Sequence, residues 1–146
     1  MSMPDQDTTL DILMKTPLFG GLGKRQLERL ARQFVERTYK EGDAILTQGQ
    51  GGEGLFVIES GEAEAVHRRA DGTSIVLNPL LPGDFFGELA LLTDVTRTAS
   101  VIAKKPTVCM VLTRWEFLSV IKQDGEMAVA VLQQLAERFS RLMSSL

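Results

Sequence analysis

Apolar positions change their period twice along the chain. Behind Thr8 and Thr9, either able to cap, Leu10, Ile12, Leu13 and Met14 predict a short helix that Pro17 and the Gly20-Gly21 pair end. Leu18, Phe19 and Leu22 form an apolar elbow, and Leu27, Leu30, Ala31 and Phe34 then recur at helical spacing, predicting an amphipathic helix over 24–34. From residue 35 the pattern shortens. Stretches 35–39, 44–46, 55–59, 62–68, 74–77, 101–103 and 107–112 are short, rich in apolar residues and punctuated by Gly, Pro or Asp-Gly, as in an antiparallel roll. Asp71-Gly72 marks a hairpin, and the alternation Glu62-Ala63-Glu64-Ala65 turns the alanines inward. The space left by Ala63 and Ala65, flanked by Leu77 and Leu80, suits a flat ring, and equally suits bulky neighbours across a core.

Helical spacing returns at the C-terminal end. Trp115 and Phe117 open a helix running to about Lys122, Asp124-Gly125 interrupts it, and 126–146 reads as one longer helix. Its stripe of Ala128, Leu132, Leu135, Phe139, Leu142 and Leu146 alternates spacings of four and three, which fits either the roll or a partner helix in a homodimer. The fold class is therefore mainly β with flanking helices: an antiparallel, jelly-roll-like β-roll with N-terminal helices, one short internal helix and a long C-terminal helix. A flexible tail, 1–7, precedes one domain over 8–146, divided into helices at 8–34, the roll at 35–113 and helices at 114–146.

The chain has 146 residues, 44% hydrophobic and 24% charged, which suits a single soluble domain, and no apolar run approaches the ~18 residues of a membrane span. The polar, acidic start lacks the character of an export signal, so a cytoplasmic location is expected. The net charge of −3 gives no global attraction to nucleic acid, and Lys24, Arg25, Arg29 and Arg32, interleaved with Glu28, read as the wet side of a helix. Cys109 has no partner for an internal disulfide and sits in an apolar run, as a buried inert thiol does. His67 is the only histidine, too few for a metal-dependent jelly-roll enzyme; it reads as a solvated or hydrogen-bonded imidazole without a catalytic role. Gly49-Gln50-Gly51-Gly52-Glu53-Gly54 has the spacing of a dinucleotide fingerprint, but a strand follows instead of a helix, so it is a loop.

The chemistry concentrates in 85–101. Gly87 allows close backbone approach, 88–92 reads as one helical turn with free amides at its start, and Arg97 supplies a planar fork suited to phosphate beside Thr98 and Ala99. Glu88 would repel an anion, which implies that the ligand also presents a hydroxyl, as a ribose does.

Phe86-Gly87-Glu88-Leu89-Ala90-Leu91 followed by Arg97-Thr98-Ala99-Ser100-Val101 closely resembles the phosphate-binding cassette of cyclic nucleotide-binding domains, with Thr96 where many members have proline. Gly42-Asp43, Gly49, 55–58, Gly61 and Pro82-Gly83-Asp84 fit the same resemblance. It implies a non-enzymatic sensor without metal or cofactor that binds cyclic AMP, alternatively cyclic GMP. Gly87, Ala90, Arg97, Thr98 and Ala99 would hold the cyclic phosphate, Glu88 the ribose 2′-hydroxyl, and Ala63, Ala65, Leu77 and Leu80 the base. Phe139, Leu142 or Met143 would form a lid on the last helix, and occupancy would be relayed to an effector protein or a fused domain. Two alternatives are a ligand-free relative serving as an interaction domain, and a truncated transcription regulator; the latter would need a helix-turn-helix, which this sequence does not contain.

Overall fold

The uninterrupted apolar run from Leu55 to Ile58 lies in a strand whose two faces are both covered. The computed structural model describes residues 6–146, and the tail expected over 1–7 lies, for residues 1–5, outside the described residues. Among the described residues, eight strands form two four-stranded antiparallel sheets. The first joins β1 (Val35–Tyr39), β8 (Thr107–Thr113), β3 (Gly54–Ser60) and β6 (Phe85–Phe86) in that order; the second joins β2 (Ala44–Leu46), β7 (Ser100–Ala103), β4 (Ala63–Arg68) and β5 (Ser74–Leu80). The α-helices flanking them among the described residues are α1 (Gln6–Lys15), α2 (Lys24–Ala31), α3 (Arg114–Gln123) and α4 (Gly125–Ser144).

Successive side chains on a strand point to opposite faces. On the first sheet, Leu55, Val57, Met110 and Leu112 therefore pack against the helices, with Leu13, Phe19, Leu30, Phe34 and Phe117. Phe56, Ile58, Cys109 and Val111 face the other way, into the roll, where they meet Ile45, Ala63, Val101 and Ala103 of the second sheet. A sheet covered on both sides has no polar alternation to show, which is why β3 is buried over its first five positions. Burial pushes the Cys109 thiol up to about 12, as its place in the core requires.

Several local expectations are modified. Thr9 does not cap α1; it lies inside that helix, buried, with its hydroxyl 3.2 Å from the Met110 sulfur. Thr113 caps α3 through Glu116 N–H, and Asp124 caps α4 through Met127 N–H at 3.1 Å, which accounts for the break between the two helices. The hairpin at Asp71-Gly72 closes through Arg69 N–H to the Thr73 carbonyl at 2.8 Å. Phe85 and Phe86 add an eighth strand against Val57 and Phe56, and a two-residue strand leaves no period for a sequence pattern to reveal.

On α4 the packing face is one step away from the expected stripe. Met127 and Val131 are buried and Leu135 packs partly on the core, whereas Leu132, Phe139, Leu142 and Leu146 are 63–97% exposed. The roll therefore does not occupy that stripe. Met127→Ala should destabilise the fold by about 2–5 kcal/mol through the cavity it leaves, and Leu142→Ala should stay within about 0.5 kcal/mol of the parent. Urea denaturation of the two variants checks the assignment; equal losses would contradict it.

Candidate functional site

Gly87 adopts φ 84°, ψ 19°, a left-handed conformation that a side chain would strain, and it leads into the 3₁₀ turn Glu88–Leu91. A Cβ at Gly87 would lie 2.7 Å from one terminal nitrogen of Arg97 and 2.6 Å from the Gly54 carbonyl. A Cβ at Gly52 would clash with the same guanidinium, 2.6 Å from its central carbon. The guanidinium thus lies in a slot that exists because positions 52 and 87 carry no side chain. The lack of a helix after the glycines of the 49–54 loop rules out a dinucleotide site and says nothing about a cradle for a remote arginine.

Residues 49–52 and 95–97 are joined by paired backbone bonds: Arg97 N–H to the Gln50 carbonyl at 2.8 Å, Gly49 N–H to the Arg97 carbonyl at 2.9 Å and Gly52 N–H to the Val95 carbonyl at 3.1 Å. Arg114 supports the loop from the other side, through its N–H to the Glu53 carbonyl at 2.7 Å and its side chain to the Gly52 carbonyl at 3.3 Å.

Arg97 is left with little. Its Nη2 donates to the Gly54 carbonyl at 3.3 Å, and its Nε is buried without a partner. Burial pushes the guanidinium below its ordinary value, partly opposed by the Glu53 carboxylate, which is itself bonded to Arg37 at 2.7 Å. The ion pairs that would make Arg97 an ordinary surface residue are formed by other arginines: Asp94 lies 3.9 Å from Arg114, and Glu88 Oε1 lies 2.9 Å from Arg138 of α4. The second oxygen of Glu88 is buried and unpartnered. A half-buried cation with no ion pair among the described residues, and a carboxylate of the same 85–101 segment with one oxygen lacking a hydrogen bond, match an anion that also carries a hydroxyl.

The other expected site residues divide. Thr98 is exposed and Ala99 half-buried, both following directly on Arg97. The Ala90 amide is not free: it closes the 3₁₀ turn by donating to the Gly87 carbonyl at 3.0 Å, because a 3₁₀ turn uses the third residue's donor one position earlier than an α-helix does. Ala63 is 0% exposed and lies in the core opposite Leu80, so it lines no opening; Ala65 and Leu80 are half-buried, and Leu77 is 46% exposed. Phe139, Leu142 and Met143 are 64%, 67% and 53% exposed and cover nothing; the α4 residue that reaches the cassette is Arg138, which the apolar stripe could not reveal. A cleft of about 570 Å³ lies over Val66, Arg68, Ser100 and Ile102 and is lined by none of residues 87, 88 and 97.

The sequence profile described as "Cyclic nucleotide-binding domain" matches residues 36–124. Over 92 residues, 63% of this chain and 24% of the relative, the chain is 38% identical to the cAMP-dependent protein kinase regulatory subunit of Yarrowia lipolytica. It is 32% identical to the cyclic AMP receptor protein of Thermus thermophilus over 123 residues, 84% of this chain and 57% of that one. The chain thus spans about a quarter to just over half of these two curated relatives. Among solved structures, the N-terminal domain of a transcriptional regulator from Streptomyces coelicolor superposes with a TM-score of 0.83 at 27% identity, covering 92% of this chain and 94% of that one.

Gly52→Ala should expel the guanidinium from its slot. The expected outcome is a shifted Arg97 Nε–H resonance and a stability loss of about 1–3 kcal/mol, while Gly125→Ala, where an added Cβ meets open space, leaves that resonance in place. An unmoved Arg97 signal in Gly52→Ala would remove the loop from the site.

Proposed function

This chain belongs to the cyclic nucleotide-binding domain family, and we propose that it is a cytoplasmic sensor that binds a 3′,5′-cyclic nucleotide, cyclic AMP in preference to cyclic GMP, without transforming it. The observation that carries this reading is that two buried side-chain atoms of the cassette, Arg97 Nε and Glu88 Oε2, lack a hydrogen-bond partner. Arg97 binds the cyclic phosphate, assisted by the Ala99 amide and the Thr98 hydroxyl. Glu88 accepts from the ribose 2′-hydroxyl through Oε2, its other oxygen being ion-paired with Arg138. Ala65, Leu77 and Leu80 are the residues of the predicted base pocket that remain accessible, and they contribute few polar groups. The preference for cyclic AMP follows the relatives, whose names refer to that nucleotide.

The relay runs through Arg138. Because Glu88 serves the ligand and α4 with different oxygens, a bound nucleotide fixes the carboxylate to which the helix is tied. A ligand biases such an equilibrium only by contacts that differ between states, and this shared acid provides one. The exposed stripe on α4 then presents the output, to a second copy of the chain or to an effector. Among the described residues no helix is long and apolar enough to cross a membrane.

Thermal shift and calorimetric titration with cyclic AMP, cyclic GMP and inorganic phosphate test the reading. Stabilisation by the cyclic nucleotides alone is expected; a response to none of them would leave an interaction domain as the better description. Arg97→Leu should weaken binding by roughly 2–5 kcal/mol, on the order of thirty- to several-thousandfold, with the fold retained, and Glu88→Gln should cost less because a neutral acceptor remains. In amide exchange, saturating cyclic AMP should protect 87–99 and the C-terminal half of α4 in the parent, but only 87–99 in Arg138→Ala. An α4 that ignores ligand in the parent would end the relay.

A further inference from the structure

Thr98 and Ala99 share one peptide unit, so whatever holds the Thr98 carbonyl also sets the direction of the Ala99 N–H. That carbonyl is held by His67, whose Nδ1 lies 2.6 Å from it. A carbonyl oxygen only accepts, so Nδ1 carries the proton and donates. His67 is half-buried in β4, on the strand face that also carries Ala63 and Ala65, and it is the chain's only histidine.

The residues on either side of this peptide unit are held by other groups. Arg97 is fixed through its backbone to Gln50 and Gly49, and the Ser100 hydroxyl accepts from Gln48 N–H at 2.9 Å. Between those anchors the imidazole holds the Thr98–Ala99 unit. The unit is trans, so its N–H points away from the carbonyl and hence away from His67, and among the described residues that N–H has no acceptor. A hydrogen bond to the carbonyl also polarises the amide and strengthens its donor.

We infer that His67 is a positioning residue of the anion site, which by bonding the Thr98 carbonyl aims the Ala99 amide at the phosphate bound by Arg97. The inference rests on the reading of this site as a cyclic-nucleotide site. It assigns His67 no contact with the ligand, and it explains why an imidazole occupies the inward face of a strand otherwise lined by alanines.

Asparagine places an N–H donor at the same number of bonds from Cβ as Nδ1 and so separates positioning from packing. In calorimetric titration with cyclic AMP, His67→Ala should bind about tenfold more weakly than the parent, and His67→Asn should recover to within about threefold. Melting temperatures confirm that both variants fold. The ligand-induced shift of the Ala99 amide resonance should shrink in His67→Ala and return in His67→Asn, a response that a filled cavity alone would not produce. A folded His67→Ala variant with parental affinity, or an Asn variant no better than Ala, overturns the positioning role while leaving the cyclic-nucleotide reading intact. A parent chain that takes up neither cyclic AMP nor cyclic GMP overturns that reading, and this inference with it.

Discussion

A guanidinium held half out of water without a counter-ion is the constraint around which the cassette is arranged. Desolvating a cation is unfavourable unless charge or hydrogen bonds replace the lost water, and Arg97 receives one long bond to the Gly54 carbonyl. The fold maintains this by removing side chains around the cation, at Gly52 and Gly87, and by directing the neighbouring acids elsewhere: Glu53 to Arg37, Asp94 towards Arg114, Glu88 to Arg138. Each diversion keeps a carboxylate from quenching the site. The unsatisfied cation is thus a property of four arginines and three acids together, and its deficit is the free energy available to an incoming anion.

The scaffold that sustains this deficit is stiff where it must be. The first sheet is packed on both faces, against the helices on one side and the second sheet on the other, so β3 and β8 are fixed by two cores. Gly54 opens β3 and Phe86 pairs with Phe56, which ties both walls of the arginine slot to that sheet. The segment carrying Arg97, Thr98 and Ala99 is held more lightly, by loop-to-loop backbone bonds and by the side chains of His67 and Ser100. A rigid floor beneath a lightly held segment is the combination that would let a bound anion reorder the cassette without disturbing the core.

What could be read in the sequence follows from how local each feature is. The antiparallel roll, the break at Asp124 and the hairpin at Asp71-Gly72 are expressed in residues near one another in the chain, and they were legible. The cassette was legible because Gly87, Glu88 and Arg97 lie within eleven consecutive residues. The slot at Gly52, the diversion of Glu88 to Arg138 and the bond from His67 to Thr98 were not, because each joins residues tens of positions apart through one side chain, which leaves no period or spacing. On α4 the apolar stripe is a real pattern in the sequence, but its period does not say which face packs. The helix packs with the neighbouring face of Met127 and Val131, so that most of its regular apolar row, Leu132 and Phe139 onward, stays in water.

That arrangement of α4 bounds what a relay can achieve. The helix is anchored in the core at its N-terminal half, by Met127 and Val131, while its exposed hydrophobic residues from Phe139 onward have no partner among the described residues, so Arg138 is the charged tie between its distal half and the cassette. A coupling free energy of about 1–3 kcal/mol shifts a two-state equilibrium roughly five- to 150-fold and no more. A helix biased to that extent is switched only if its two positions already lie within a few kcal/mol of each other, which a short core anchor and an uncovered apolar row both favour. The exposed stripe is therefore consistent with the weak tie: whatever covers it adds to the small bias that Glu88 and Arg138 can exert, and the direction of the switch depends on which position of α4 leaves that row free.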